Sequence, residues 1–99
     1  MNNNINNLEF LDETDIEDIK EMYDDYMIEQ VNIENVNTIY DYLIKQGISY
    51  AKDIFISNME LFLLNSDEFI EKFERIKEEI GEDYANEIEE DFSLLEKMY

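Results

Sequence analysis

Residues 32–47 read NIENVNTIYDYLIKQG and residues 66–81 read SDEFIEKFERIKEEIG. Each stretch opens on a short polar residue that can accept a hydrogen bond from a free helix N–H, and each closes on glycine. Between these ends, Val36, Ile39, Tyr40 and Leu43 recur at helical spacing, as do Phe69, Ile70, Phe73, Ile76 and Ile80. The two glycines stand 34 residues apart, and the same shift carries Val36, Ile39 and Tyr42 onto Ile70, Phe73 and Ile76, and Asn32 onto Ser66. After each glycine comes a short amphipathic stretch and then a related phrase, Asn58-Met59-Glu60-Leu61-Phe62 in one case and Asp91-Phe92-Ser93-Leu94-Leu95 in the other. A period of this size marks a helical repeat whose units bury their apolar faces against neighbours. The pattern predicts an all-α domain, a compact bundle of about five short helices with two to three repeats of about 34 residues.

Outward from this centre, Thr14 and Glu17 have capping-box spacing, which places the start of the first helix at Thr14. Ile16, Ile19, Tyr23, Tyr26 and Met27 then mark its inward face. Ile54, Phe55 and Ile56 form the most apolar part of a third helix, which is expected to break near Asn58 and to continue as a short turn to Leu64. Ser66 is read as the cap of the fourth helix, and a last helical segment carries Tyr84, Ala85, Ile88, Phe92, Leu95 and Tyr99. Residues 1–11 read as an Asn-rich flexible arm, with Phe10 and Leu11 docking on the first helix, and residues 12–99 as a single helical domain.

At Asn58, Leu61, Phe62, Ser66 and Gly81, and again at Leu94 and Leu95, the chain resembles the helical repeats of the mitochondrial transcription termination factor family. The resemblance spans residues 32–99, with Met59 and Phe92 where the family carries proline. It implies architecture. Family members bind nucleic acid along a basic inner surface, and this chain has no such basic residues, so the family's ligand does not carry over.

Charge sets the expected function. Twenty-seven Asp and Glu face seven Lys and Arg, a formal net charge of −20. Such a chain cannot neutralise phosphates, so direct nucleic-acid binding is not expected, and anionic membrane surfaces repel it. Its electrostatic counterpart is a basic protein surface. The absence of His and Cys excludes Ser-His-Asp and Cys-His sites and ordinary zinc clusters. Two glycines 34 residues apart supply neither a P-loop nor a dinucleotide fingerprint. Setting either at the sixth position of an EF-hand loop puts Tyr42 or Ile76 at the first calcium ligand, and neither can bind the ion. The expectation is therefore no catalysis, no cofactor and no metal. The N-terminus lacks the basic and apolar stretches of a secretion signal, and the longest unbroken apolar run is Leu61 to Leu64, so a cytoplasmic protein is expected. Abundant Asn, Ile and Glu with little Arg suits an AT-rich bacterial or phage genome.

Asp18, Glu21, Asp25 and Glu29 follow at spacings of three, four and four, opposite the apolar stripe of the first helix, and Asp67, Glu71, Glu74 and Glu78, at four, three and four, run opposite that of the fourth. Glu87 and Glu90 stand in an equally acidic final segment. These ten are the expected partner-binding residues. A carboxylate line of this density approximates a line of phosphates, which lie about 3.4 Å apart along each DNA strand. In character, though in no motif, the chain is similar to small acidic phage proteins that disarm host defences, inhibitors of CRISPR effectors among them. The alternative is a bacterial helical-repeat adaptor that binds through apolar and aromatic anchors, with Tyr40, Tyr42, Tyr50 and Tyr99 as candidates.

Overall fold

The computed structural model describes residues 4–98. Its elements are a 3-10 turn η1 (Asn4–Asn7), α1 (Glu13–Met22), α2 (Asp25–Glu29), α3 (Ile33–Lys45), α4 (Ala51–Ser57), η2 (Met59–Leu63), α5 (Ser66–Ile80), α6 (Tyr84–Glu90) and η3 (Phe92–Met98). No strand occurs among the described residues, so the fold is all-α.

The order long helix, short helix, 3-10 turn occurs twice, as α3–α4–η2 and α5–α6–η3. Ile33 and Ser66, Ala51 and Tyr84, and Met59 and Phe92 open matching elements 33 residues apart. The pair α1–α2 precedes α3 as α4–η2 precedes α5, though α2 is an α-helix where η2 is a 3-10 turn. Two complete units result among the described residues. The molecule is elongated, 43 × 24 × 21 Å. α3 packs along α5, each long helix packs on the 3-10 turn of its own unit, and α1 packs on α4.

Local chemistry explains the boundaries. Gly47 has φ +84°, its N–H reaches the Ile44 carbonyl at 3.0 Å, and the Ile48 N–H reaches the Leu43 carbonyl at 3.0 Å. This is a Schellman stop, and its hydrophobic clip is the fully buried pair Leu43 and Ile48. Gly81, at φ +98° and ψ −165°, ends α5 in backbone space open essentially to glycine alone.

Two expected caps fall on other residues. The capping box of α1 is Asp12 with Asp15: the Asp15 N–H donates to Asp12 Oδ1 at 2.9 Å, and the Asp12 N–H to Asp15 Oδ2 at 3.0 Å. A charged carboxylate is a stronger acceptor than a hydroxyl, so the helix starts before Thr14. The cap of α5 is Asn65, whose Oδ1 takes the Asp67 N–H at 2.9 Å. Ser66 is already helical, and its N–H is held by Asn35 Oδ1 at 2.8 Å. The amide of Asn35 donates to the Leu64 carbonyl at 2.6 Å, so one side chain of α3 fixes the turn into α5. Asn32 caps α3 through the Asn35 N–H, so the equivalent caps are Asn32 and Asn65.

The core is a run of aromatic contacts through both units. Ring centroids lie 5.5 Å apart from Phe10 to Phe55, 5.0 Å to Phe62, 5.7 Å to Phe69, 6.0 Å to Phe73 and 6.3 Å to Tyr84. Phe55, Phe62, Phe69 and Phe73 are fully buried, and each contributes about 1.5–3 kcal/mol of apolar burial. No polar or charged residue among those described is buried, so the acidic composition is confined to the surface. The described part of the Asn-rich segment is packed: Ile5 and Leu8 are in the core, one 3-10 turn apart, and η1 lies on α2 and α3. Phe10 stacks on Tyr40 of α3 at 4.1 Å and meets Phe55 of α4 edge-on. Residues 1–3 and Tyr99 lie outside the described residues.

Candidate partner-binding surface

The ten acids Asp18, Glu21, Asp25, Glu29, Asp67, Glu71, Glu74, Glu78, Glu87 and Glu90 are all exposed. They do not form the two straight lines that their spacing implies. The first is interrupted. Tyr23 leaves helical geometry at φ −124° and ψ 148°, and Asp24 caps a new helix by accepting the Met27 N–H at 2.9 Å. Asp18 and Glu21 therefore ride on α1, and Asp25 and Glu29 on α2. The break is locked from outside the segment: the Tyr23 hydroxyl donates to the Ile56 carbonyl at 2.8 Å and accepts the Met59 N–H at 3.1 Å. The break also changes the phase of the stripe. Ile28 is buried, whereas Tyr26, expected inward, is 73% exposed.

The second set does ride on one helix, α5, but two of its members are engaged. Glu71 Oε1 meets Arg75 Nη2 at 2.7 Å. Glu74 accepts the Tyr42 hydroxyl and lies 3.3 Å from Lys77 Nζ. The Tyr42 hydrogen bond, helped by the charge of Lys77, holds the Glu74 carboxyl below its usual pKa. Lys77 also donates to Gln46 Oε1 at 2.5 Å, so Glu74 belongs to a clasp joining α5 to α3. The ends of the line, Asp67 and Glu78, form no ion pair among the described residues.

The bases are largely occupied within the fold. Lys52 pairs with Asp15 at 3.2 Å, Lys72 with Glu68 at 3.1 Å, and Lys97 with Glu79 at 3.2 Å, besides Arg75 and Lys77. Lys72 further donates to the Met98 carbonyl at 3.0 Å and ties α5 to η3. Lys20 and Lys45 are exposed and form no ion pair among the described residues. The two acidic sets also have different neighbours, since α1 packs on α4 while α5 packs on α3, α6 and η3.

The aromatic candidates are turned to internal use. Tyr40 is half-buried against Phe10, Tyr42 against Phe73, and Tyr50 against Phe92, and the Tyr50 hydroxyl is given to the Ala85 carbonyl. The exposed large apolar side chains are instead Met22, Tyr26 and Ile44. Asp24-Asp25 after Tyr23 has the composition of a helix N-terminus, a signal that competes locally with the continuing apolar spacing and is decided by the distant contacts of Tyr23.

A hollow of about 490 Å³ lies where α3 and α5 begin, lined by Asn32, Glu34, Asn35, Thr38, Leu63, Asn65 and Ser66. Its three asparagines already hold backbone groups of the fold. Among the described residues, no three Asp or Glu converge as a metal site, and no helix is long and apolar enough to cross a membrane. Comparison with protein families, curated proteins and solved structures found no match.

Proposed function

We propose that this chain is a non-enzymatic acidic binding protein that occupies the basic, nucleic-acid-binding surface of a partner protein. One observation carries the reading: the ten acids are exposed and only Glu71 and Glu74 of them form ion pairs among the described residues, while five of the seven bases are already held in ion pairs. A surface with such an excess of negative charge draws a basic partner at long range and repels nucleic acid and anionic lipid. The support comes from charge and not from a regular phosphate-like spacing, because the break at Tyr23 and the clasp at Glu74 interrupt both lines. A role that suits such a surface is that of a cytoplasmic phage or mobile-element inhibitor of a host defence nuclease, such as a CRISPR effector. The adaptor reading has less support, since Tyr40, Tyr42 and Tyr50 are committed to the fold.

The test is capture of partners from a bacterial lysate on the immobilised chain, followed by displacement with DNA or RNA against a salt control of equal ionic strength. A nucleic-acid-binding partner released by its own nucleic acid is the expected result. A partner that takes nucleic acid with unchanged affinity while bound to this chain overturns the reading.

A further inference from the structure

Tyr26 is the exposed aromatic among the described residues; every other Phe and Tyr there is buried or half-buried. Burial of a ring is favourable, so a tyrosine kept 73% exposed needs a cause. The cause is the corner between α1 and α2. Tyr23 is pinned to α4 and η2 by its hydroxyl, and the Asp24 cap restarts the helix with Met27 and Ile28 turned inward. Met22, the last residue of α1, is thereby left 56% exposed, and Tyr26 stands outside near the start of α2. The corner is fixed, so the two side chains are presented on a rigid support.

The surroundings select the occupant. Asp18 lies one turn before Met22, Glu21, Asp24 and Asp25 lie beside and between the two apolar residues, and Glu29 lies one turn after Tyr26, all exposed. Lys20 is the one base between Asp12 and Glu34. A second copy of the chain would bring the same acids face to face, and a net charge of −20 opposes that. A purely apolar partner would leave the carboxylates facing it desolvated. A cation with a flat, weakly hydrated face satisfies both the ring and the acids. Arginine has that face, and it also matches carboxylates in a two-pronged hydrogen bond that lysine cannot form.

We infer that Tyr26, at the corner between α1 and α2, is the anchor point of the acidic surface, and that it receives an arginine side chain of the partner protein. The guanidinium lies over Tyr26 and is held by Glu29, one turn further along α2. This inference rests on the reading of the chain as a binder of basic protein surfaces.

End-capped hexa-arginine and hexalysine peptides serve as probes, titrated at low salt against the wild-type chain, Tyr26→Ala and Tyr26→Phe, with helicity checked by circular dichroism. Hexa-arginine should bind the wild type more tightly than hexalysine. Tyr26→Ala should weaken hexa-arginine binding by roughly two- to five-fold, the range expected for an exposed cation–π contact, and should narrow the difference between the peptides, while Tyr26→Phe keeps it. An arginine preference that survives Tyr26→Ala, or equal binding of the two peptides by the wild type, overturns the inference and leaves the acidic-binder reading standing. If neither peptide binds the wild type, that reading fails as well.

Discussion

Tyr50 and Tyr84, 34 residues apart, hold the two repeat units together from opposite sides. Tyr50, just before α4, gives its hydroxyl to the Ala85 carbonyl in α6. Tyr84, the first residue of α6, gives its hydroxyl to the Gln46 carbonyl at the end of α3, at 2.6 Å. Each tyrosine thus reaches a backbone acceptor of the other unit, and each ring packs in the aromatic core, Tyr84 edge-on to Phe73 and Tyr50 stacked on Phe92. Removing one hydroxyl leaves the ring in place and a part-buried carbonyl without its donor. Tyr84→Phe is expected to lower unfolding free energy by about 1 kcal/mol, and Tyr50→Phe by a similar amount, in urea titrations.

The two glycines should differ in how well they tolerate a side chain. At neither would an added methyl group meet another atom within 4 Å, so space is not the limit and backbone strain is. Gly47 sits in a Schellman turn, a conformation that asparagine also adopts, so Gly47→Asn should be milder than Gly47→Ala. Gly81 combines φ +98° with ψ −165°, which L-residues avoid. Gly81→Ala is expected to cost roughly 1–3 kcal/mol and more than Gly47→Ala, read from thermal or urea midpoints.

Stability should fall at both ends of the pH scale for identifiable reasons. Burial, with the Glu89 charge adding to it, pushes the Tyr50 phenol from 10.0 up to about 12. Burial also raises Tyr42, reinforced by Glu74, and raises Tyr23. A raised phenol means the fold favours the neutral form, so this stability is present below about pH 10 and is lost as pH rises towards about 12. Tyr50→Phe should make the alkaline decline shallower. The Glu74 carboxyl is lowered by the Tyr42 hydrogen bond, so its contribution is present above 4.5 and is lost as pH falls below it. Glu74→Gln should flatten that acid limb in a urea series across pH.

Repetition and the glycine stops were legible in sequence because a positive-φ stop acts locally, whereas the N-caps read at Thr14 and Ser66 fall at Asp12 and Asn65. The break at Tyr23 was not legible, because its decisive partners, Ile56 and Met59, come from elements 33 and 36 residues away. A cap such as Asp24 contributes about 1 kcal/mol, comparable to what continuing the helix would offer, so local sequence does not decide between them. The packing of Ile5 and Leu8 was hidden for a related reason: a polar Asn-rich composition outweighed two apolar residues whose partners lie on α2 and α3. Of the candidate surface, the exposure of all ten acids was legible, while the engagement of Glu71 and Glu74 and the outward turn of Tyr26 required the tertiary contacts.

Added salt should stabilise the fold. Screening acts on exposed charges over about 8–10 Å at moderate ionic strength, and the unpaired acids on this surface outnumber the five ion pairs that screening would weaken. Tm is expected to rise between low and physiological salt, by about 4–8 °C for each kcal/mol of repulsion relieved. A flat or falling Tm would mean that the acids are compensated within the fold.

Four of the ten surface acids stand where they oppose the fold, and this gives the sharpest test of why they are there. Glu21 is in the last turn of α1, Glu29 ends α2, Glu78 is in the last turn of α5, and Glu90 ends α6. The C-terminal end of a helix carries partial negative charge and favours a cation. Lysine at each position should therefore raise stability, by roughly 0.3–1 kcal/mol, in addition to lowering the net repulsion. The same substitutions remove charge from the surface that draws a basic partner, so association with the captured partner should slow and its salt dependence should become less steep. Greater stability with slower association is the expected signature of acids retained for binding at the expense of the fold. Glu68→Gln is the control, because its carboxylate is paired with Lys72 at 3.1 Å, and it should leave the association rate nearly unchanged. Variants at Glu21, Glu29, Glu78 and Glu90 that gain stability and associate as fast as the wild type would show that these acids take no part in drawing the partner.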